Sequence, residues 1–244
     1  MAKSIGIDTE VTKHKLSGTE ASFEDGKQKM NIDITNFNFT YSYDLKSQSS
    51  FFDGTALPPQ KDIESKAIDV VKSVGRYPDE LARGKTNIIY LVYNPLRDDL
   101  AVTQNASEAN MVEVDFYRPD VSEIPDTIPF VSQNYFNSQN YVVLAYNSSG
   151  YKVVRAQIKH YDRSAEQVGV YPLKSGDTAW EELVSGTAFV VSKPATTTNI
   201  VIKKMFLGYL DVDTYTDYIQ PVYIFLGSDN FVAYVPAIDA SYSE

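Results

Sequence analysis

Between Tyr218 and Ile238 runs YIQPVYIFLGSDNFVAYVPAI, the most apolar stretch of the chain, with Asp229 as its sole charge. Strand parity sends Val222, Ile224 and Leu226 one way and Tyr223 and Phe225 the other. In the return segment Phe231, Ala233 and Val235 oppose Val232 and Tyr234. Both faces are apolar, so both need cover. Neither half approaches the roughly 20 apolar residues that a membrane-spanning helix takes. Gly227-Ser-Asp-Asn230 is turn chemistry. The run therefore predicts the central hairpin of a sheet packed on both sides, and the rest of the chain must supply the packing.

The remaining patterns divide into grouped strands and two helices. From Met30, Ile32 and Ile34 and then Phe37, Phe39, Tyr41 and Tyr43 alternate with polar residues, with a register change near Asn36. In QKDIESKAIDVVKSVG, Ile63, Ala67, Val70, Val71 and Val74 form one stripe of helical period, and Gly75 stands where a cap belongs. Thr86–Tyr93 and the alternating MVEVDFYRP read as strands, and YVVLAYNSSGYKVVRAQIKHY reads as a hairpin turning at Asn147–Gly150. KSGDTAWEELVSG predicts a second helix, capped by Ser175, Asp177 or Thr178, with Thr178 and Glu181 at capping-box spacing. Trp180, Leu183 and Val184 form its apolar face, expected to be buried. Strands at 200–210, 221–226 and 231–238 finish the chain.

Strands that are grouped, and do not alternate with helices, predict an α+β class of mainly antiparallel sheets with helices packed on one face. The order helix-then-strands occurs twice, which allows two related units. The expected division is a polar arm leading into strands over 1–56, one α+β unit over 57–135 and another over 136–244, with the natural seam at Pro119–Asn140.

Function classes are narrowed mostly by what the sequence lacks. A formal charge of −10 disfavours nucleic acid and anionic lipid, since Lys203-Lys204 is the densest basic cluster. Absence of cysteine removes disulfides, thiolate metal sites and a cysteine nucleophile. His14 and His160 are the only histidines and lie far apart, so a histidine zinc site is not expected. There is no phosphate-binding loop, no dinucleotide fingerprint and no nucleophile elbow. No cofactor is expected. In LDVDTYTDY, Asp211, Asp213 and Asp217 have the spacing of calcium ligands, yet the loop has no glycine and Val222 stands where a glutamate belongs. An acidic turn between strands explains the same three residues. Any two of the 32 acidic residues could meet as a glycosidase pair, and no pair is marked by its surroundings.

The start, MAKSIGIDTE, has no apolar signal segment, and no window is long enough to span a bilayer. With 18 tyrosines and no cysteine, the composition fits a secreted bacterial chain. The expected setting is extracytoplasmic, reached from a membrane only through an anchor absent from this chain.

One resemblance sharpens this. The order YPLKSGDTAWEELVSG, then IVIKKMFLGYL, then YIQPVYIFLG…FVAYVPAI resembles the extracytoplasmic regulators of the YycI and YycH type. A short helix with Ala179, Trp180 and Leu183 precedes strands ending in the hairpin from Gln220 to Phe225. The resemblance covers 168–238, and more loosely 57–238. The long amino-terminal anchor helix of those regulators is missing here. The resemblance implies a PepSY-like or β-lactamase-inhibitor-like α+β unit that binds or restrains another envelope protein without a cofactor, and it carries over no functional residue. The expectation is a non-catalytic ectodomain of a bacterial envelope protein, with Tyr223 and Tyr234 as candidate partner contacts. The alternative is a surface glycan-binding module or a carboxylate-based glycoside hydrolase.

Overall fold

The computed structural model describes residues 1–10, 12–46, 57–122, 127–164, 168–196 and 199–242. Strand takes 41% and helix 19%, so the protein is mostly β. The expected α+β class, with helices layered over the sheets, is thereby corrected. The extra strands come from polar segments that pair while burying little, and such segments show no apolar alternation. The chain divides into two units, Met1–Arg118 with Gln139–Tyr161 and Pro119–Ser138 with Asp162–Glu244. The boundaries expected at 56/57 and 135/136 differ from these because strand pairing, not sequence proximity, sets them. Residues 47–56 lie outside the described residues.

The first unit holds strands β1 (Lys13–Ser17), β2 (Glu20–Glu24), β3 (Gln28–Asp33), β4 (Phe39–Tyr43), β5 (Lys85–Asn94), β6 (Asp99–Val102) and β7 (Met111–Tyr117). Strand β8 (Phe130–Ser132) belongs to the second unit, and β9 (Tyr141–Asn147) and β10 (Gly150–Ile158) return to the first. Its nine strands form one antiparallel sheet in the order β1-β2-β3-β4-β10-β9-β7-β5-β6. The residues expected to form a loose arm thus build one side of this sheet. Turns at Gly18 and Gly26, both at positive φ, reverse the chain there.

Helix α1 (Gln60–Val74) lays its apolar stripe on one face of the sheet, where Ile63, Ala67, Val70, Val71 and Val74 are buried with Val112, Val114, Phe116, Val142 and Leu144. Each larger side chain there contributes about 1.5–3 kcal/mol by leaving water. Gly75, at φ 82, closes the helix by returning its N–H to Lys72 O. The opposite face buries Leu45, Leu91, Tyr93, Met111, Val143, Ala145 and Val154. Four strands separate β4 from β6 in the sheet, yet Lys46, just after β4, meets Asp98, just before β6, at 3.0 Å. That part of the sheet is therefore coiled, and Leu45 plugs the inside of the curl. A short helix α2 (Asp79–Arg83) leads into β5.

The second unit comprises β8, α3 (Gly176–Ser185), β11 (Phe189–Ser192), β12 (Ile202–Asp211), β13 (Pro221–Gly227) and β14 (Val232–Pro236). The sheet order is β11-β14-β13-β12-β8, antiparallel except where β8 runs parallel to β12. The apolar run is the β13–β14 hairpin, with Ile224 opposite Tyr234 and Phe225 opposite Ala233. Asp229 and Asn230 take the left-handed backbone that the tight turn needs. One face buries Val131, Val222, Ile224, Val232 and Tyr234. The other buries Phe225, Phe231, Ala233 and Val235 together with Ala179 of α3. Ser175 caps α3, its Oγ accepting the Thr178 N–H at 3.1 Å.

Candidate functional site

The densest polar cluster of the first unit lies where the chain leaves it. Arg118 follows β7, His160 and Tyr161 follow β10, and Gln139 and Asn140 precede β9. The Arg118 guanidinium pairs with the Glu80 carboxylate on α2 and donates to Tyr161 O at 2.6 Å. His160 Nε2 lies 3.4 Å from the same Glu80 oxygen. The His160 N–H donates to Asn38 Oδ1 at 3.1 Å, and Arg76 donates to His160 O at 2.8 Å. Asn140 Oδ1 accepts the Lys159 N–H at 2.9 Å. Glycine at position 84 makes this possible: a Cβ there would sit 1.7 Å from Tyr117 O, so only glycine lets the α2–β5 junction close on the end of β7. Arg118, His160, Asn38 and Asn140 are all buried. The Glu80 carboxylate is thus shared by Arg118 and His160, and the cluster ties together the chain segments that leave this unit. A shallow open cleft beside it is lined by Ile68, Lys72, Gly75, Tyr77, Asp79 and Ala82.

The second unit presents a different chemistry at its surface. Helix α3 buries Ala179 and half-buries Leu183, leaving Trp180 46% and Val184 69% exposed. This corrects the expectation that Trp180 and Val184 are covered. At helical spacing Asp177, Trp180, Glu181 and Val184 share one exposed face. Asp177 and Glu181 have no cationic partner among the described residues, whereas Glu182 is held by Lys174 at 2.6 Å. Beside α3, β11 is a sheet edge with Phe189 63% and Val190 45% exposed. The residues of this unit include 14 Asp and Glu against five Lys and Arg, so it carries nearly all of the chain's net negative charge.

The residues singled out from the sequence fall in separate places. Tyr234 is interior, its hydroxyl donating to Ser132 O at 2.8 Å, and burial raises its pKa. Tyr223 is half-buried and donates to Lys174 O at 2.7 Å. Asp211 is buried at the end of β12, while Asp213 and Asp217 are exposed in the turn that follows. Among the described residues no three His, Asp or Glu side chains are grouped to hold a metal ion. His14 is exposed on β1, 6.5 Å from the Phe23 ring, and His160 is in the buried cluster.

The sequence reading missed the β11 edge and Glu80. Phe189–Ser192, an aromatic and β-branched run between Gly186 and Pro194, is the signal that marks the former. A five-residue helix like α2 offers no periodicity to read. No protein-family model matches the chain, and neither does any curated protein.

Proposed function

We propose that the protein is a non-catalytic module that binds another protein of the bacterial envelope through the α3–β11 side of its second unit. The observation that carries this is a sheet edge with uncovered apolar side chains, Phe189 and Val190, in the same unit as an exposed Trp180. Exposed apolar surface of this kind marks interaction sites, and tryptophan is enriched at their centres. The cysteine-free, tyrosine-rich composition and the likeness of 168–238 to extracytoplasmic regulators support the envelope setting.

Because the chain has no cysteine, single-cysteine variants give clean attachment points. Val184→Cys and Val190→Cys, each carrying a photo-crosslinker, are expected to trap one envelope protein of the host. Leu96→Cys, on the fully exposed turn of the first unit, serves as control. Equal trapping from position 96, or none from 184 and 190, contradicts the proposal.

A glycan-binding reading also has an observation in its favour. An exposed indole flanked by Asp177 and Glu181 is a surface on which a sugar ring stacks and hydrogen-bonds. Trp180 is the sole tryptophan, so its fluorescence reports such binding directly. Saturable quenching by an envelope glycan, with no position-dependent crosslink, selects this reading over protein binding.

A further inference from the structure

We propose that the partner docks as a strand: an extended segment carrying lysine or arginine between apolar residues pairs with β11 and becomes the sixth strand of the second sheet. This rests on the protein-binding reading above and specifies its chemistry.

The four sheet edges differ in how they are protected. β1 carries Lys13 and Lys15, and charged edges resist strand addition. β6 opens at Asp99, beside the Lys46–Asp98 ion pair. β8 is three residues long and buried throughout. β11, Phe-Val-Val-Ser, has no charged residue and no proline; Phe189 and Val190 are exposed, Val191 and Ser192 half-buried, and its pairing with β14 shifts register between Val190 and Ser192. Its limits are set just outside, by Gly186 before it and Lys193-Pro194 after it. The outward main-chain groups of this four-residue edge, bounded at both ends, form a template for a short strand and not for an unlimited stack.

Register determines what an added strand meets. Val190 is paired with Ala233, whose side chain packs under α3, while Phe189 is paired with Tyr234 on the opposite face. Alternate apolar side chains of an incoming strand extend one of these rows, and the residues between them lie over the other. Charge determines the rest. The unit is acidic, and Asp177 and Glu181 flank Trp180 on the exposed face of α3 without cations of their own. A basic segment gains from that field. An acidic segment, or a second copy of the same acidic unit, is repelled.

The test uses the full chain and three nine-residue peptides: alternating valine and lysine, the same with glutamate for lysine, and the same with serine for valine. Fluorescence anisotropy of labelled peptide and sedimentation are the readouts. The valine–lysine peptide is expected to bind saturably and more weakly as salt rises, with the other two at least about tenfold weaker. Val190→Lys, which charges the edge, is expected to lose at least about tenfold in affinity. Glu181→Lys, which leaves the edge intact, is expected to lose affinity for this peptide alone, and it stands in if Val190→Lys fails to fold. Equal binding of the glutamate peptide overturns the basic chemistry while leaving strand addition in place. Position-dependent crosslinking without binding of any peptide overturns strand addition and leaves the protein-binding reading standing. Loss of both removes that reading as well. Concentration-dependent self-association abolished by Val190→Lys assigns the edge to a second copy and overturns the proposal.

Discussion

Arg118 and Tyr161 stand 43 residues apart in sequence and are joined by a 2.6 Å hydrogen bond from the guanidinium to the backbone carbonyl. Each is the last residue of a segment that leaves the first unit. The same guanidinium pairs with Glu80, whose carboxylate also faces His160. One buried side chain thus ties α2, the end of β7 and the end of β10 together.

Arg118→Ala removes the buried guanidinium that pairs with the Glu80 carboxylate and holds Tyr161 O. Breaking a buried pair by deleting one partner costs about 3–5 kcal/mol. The variant is expected to lose that much stability in urea, with its first unit unfolding at lower denaturant. A loss under about 1 kcal/mol would show that the cluster is solvated in solution and does not anchor the chain.

Gly84→Ala places a methyl group against the Tyr117 carbonyl, which is main chain and cannot rotate away. Overpacking of this kind costs about 1–3 kcal/mol or more. The expected outcome is a lower Tm and faster exchange of the α2 amides, since the junction that delivers Glu80 must open.

Burial raises the phenol pKa of Tyr41, Tyr93, Tyr146 and Tyr234, for Tyr93 and Tyr146 to about 12. The folded chain keeps these protons above pH 10, where the unfolded chain releases them. Stability is therefore intact below pH 10 and is lost as pH rises from 10 through about 12. A phenolate absorbance titration should show these four hydroxyls ionising only well above pH 10, together with loss of the circular dichroism signal. Simple ionisation of all tyrosines near pH 10 would contradict their burial.

In the β3–β4 turn the Asp33 carboxylate accepts from the Thr35 hydroxyl at 2.6 Å, the Thr35 amide at 2.9 Å and Asn36 Nδ2 at 2.9 Å. These bonds, with the Thr35 hydroxyl foremost, lower its pKa below the usual 3.8. Its contribution is present above pH 3.8 and is lost as pH falls through the lower folded value. Asp33→Ala is expected to cost about 1–2 kcal/mol at pH 7 and much less at pH 2. Equal cost at both values would show that the carboxylate charge plays no part.

Local periodicity made much of the fold legible. The α1 stripe ending at Gly75, the β9–β10 hairpin at Asn147–Gly150 and the β13–β14 hairpin were all written in spacing and turn residues. β1, β2 and β6 were not, because none of their side chains is fully buried and no buried face imposes alternation. Nothing in Tyr141–Ile158 tells a reader that it pairs with β4 and β7, since register across a sheet is a non-local property. In α3, Trp180, Leu183 and Val184 share an arc, but a ten-residue helix has little to fix its roll, and Ala179 with Leu183 takes the core. The buried ionic cluster was illegible for the same reason as the sheet register: Glu80 and Arg118 are 38 residues apart.

Hydrogen exchange at Phe189–Ser192 tests strand docking at β11 most directly. In the free protein the outward amides of this edge should exchange fast. With the valine–lysine peptide bound they should slow at least about tenfold, while the amides of α1 stay unchanged. Binding that leaves these outward amides unprotected, or that protects the Ile68–Tyr77 cleft instead, would contradict docking at β11.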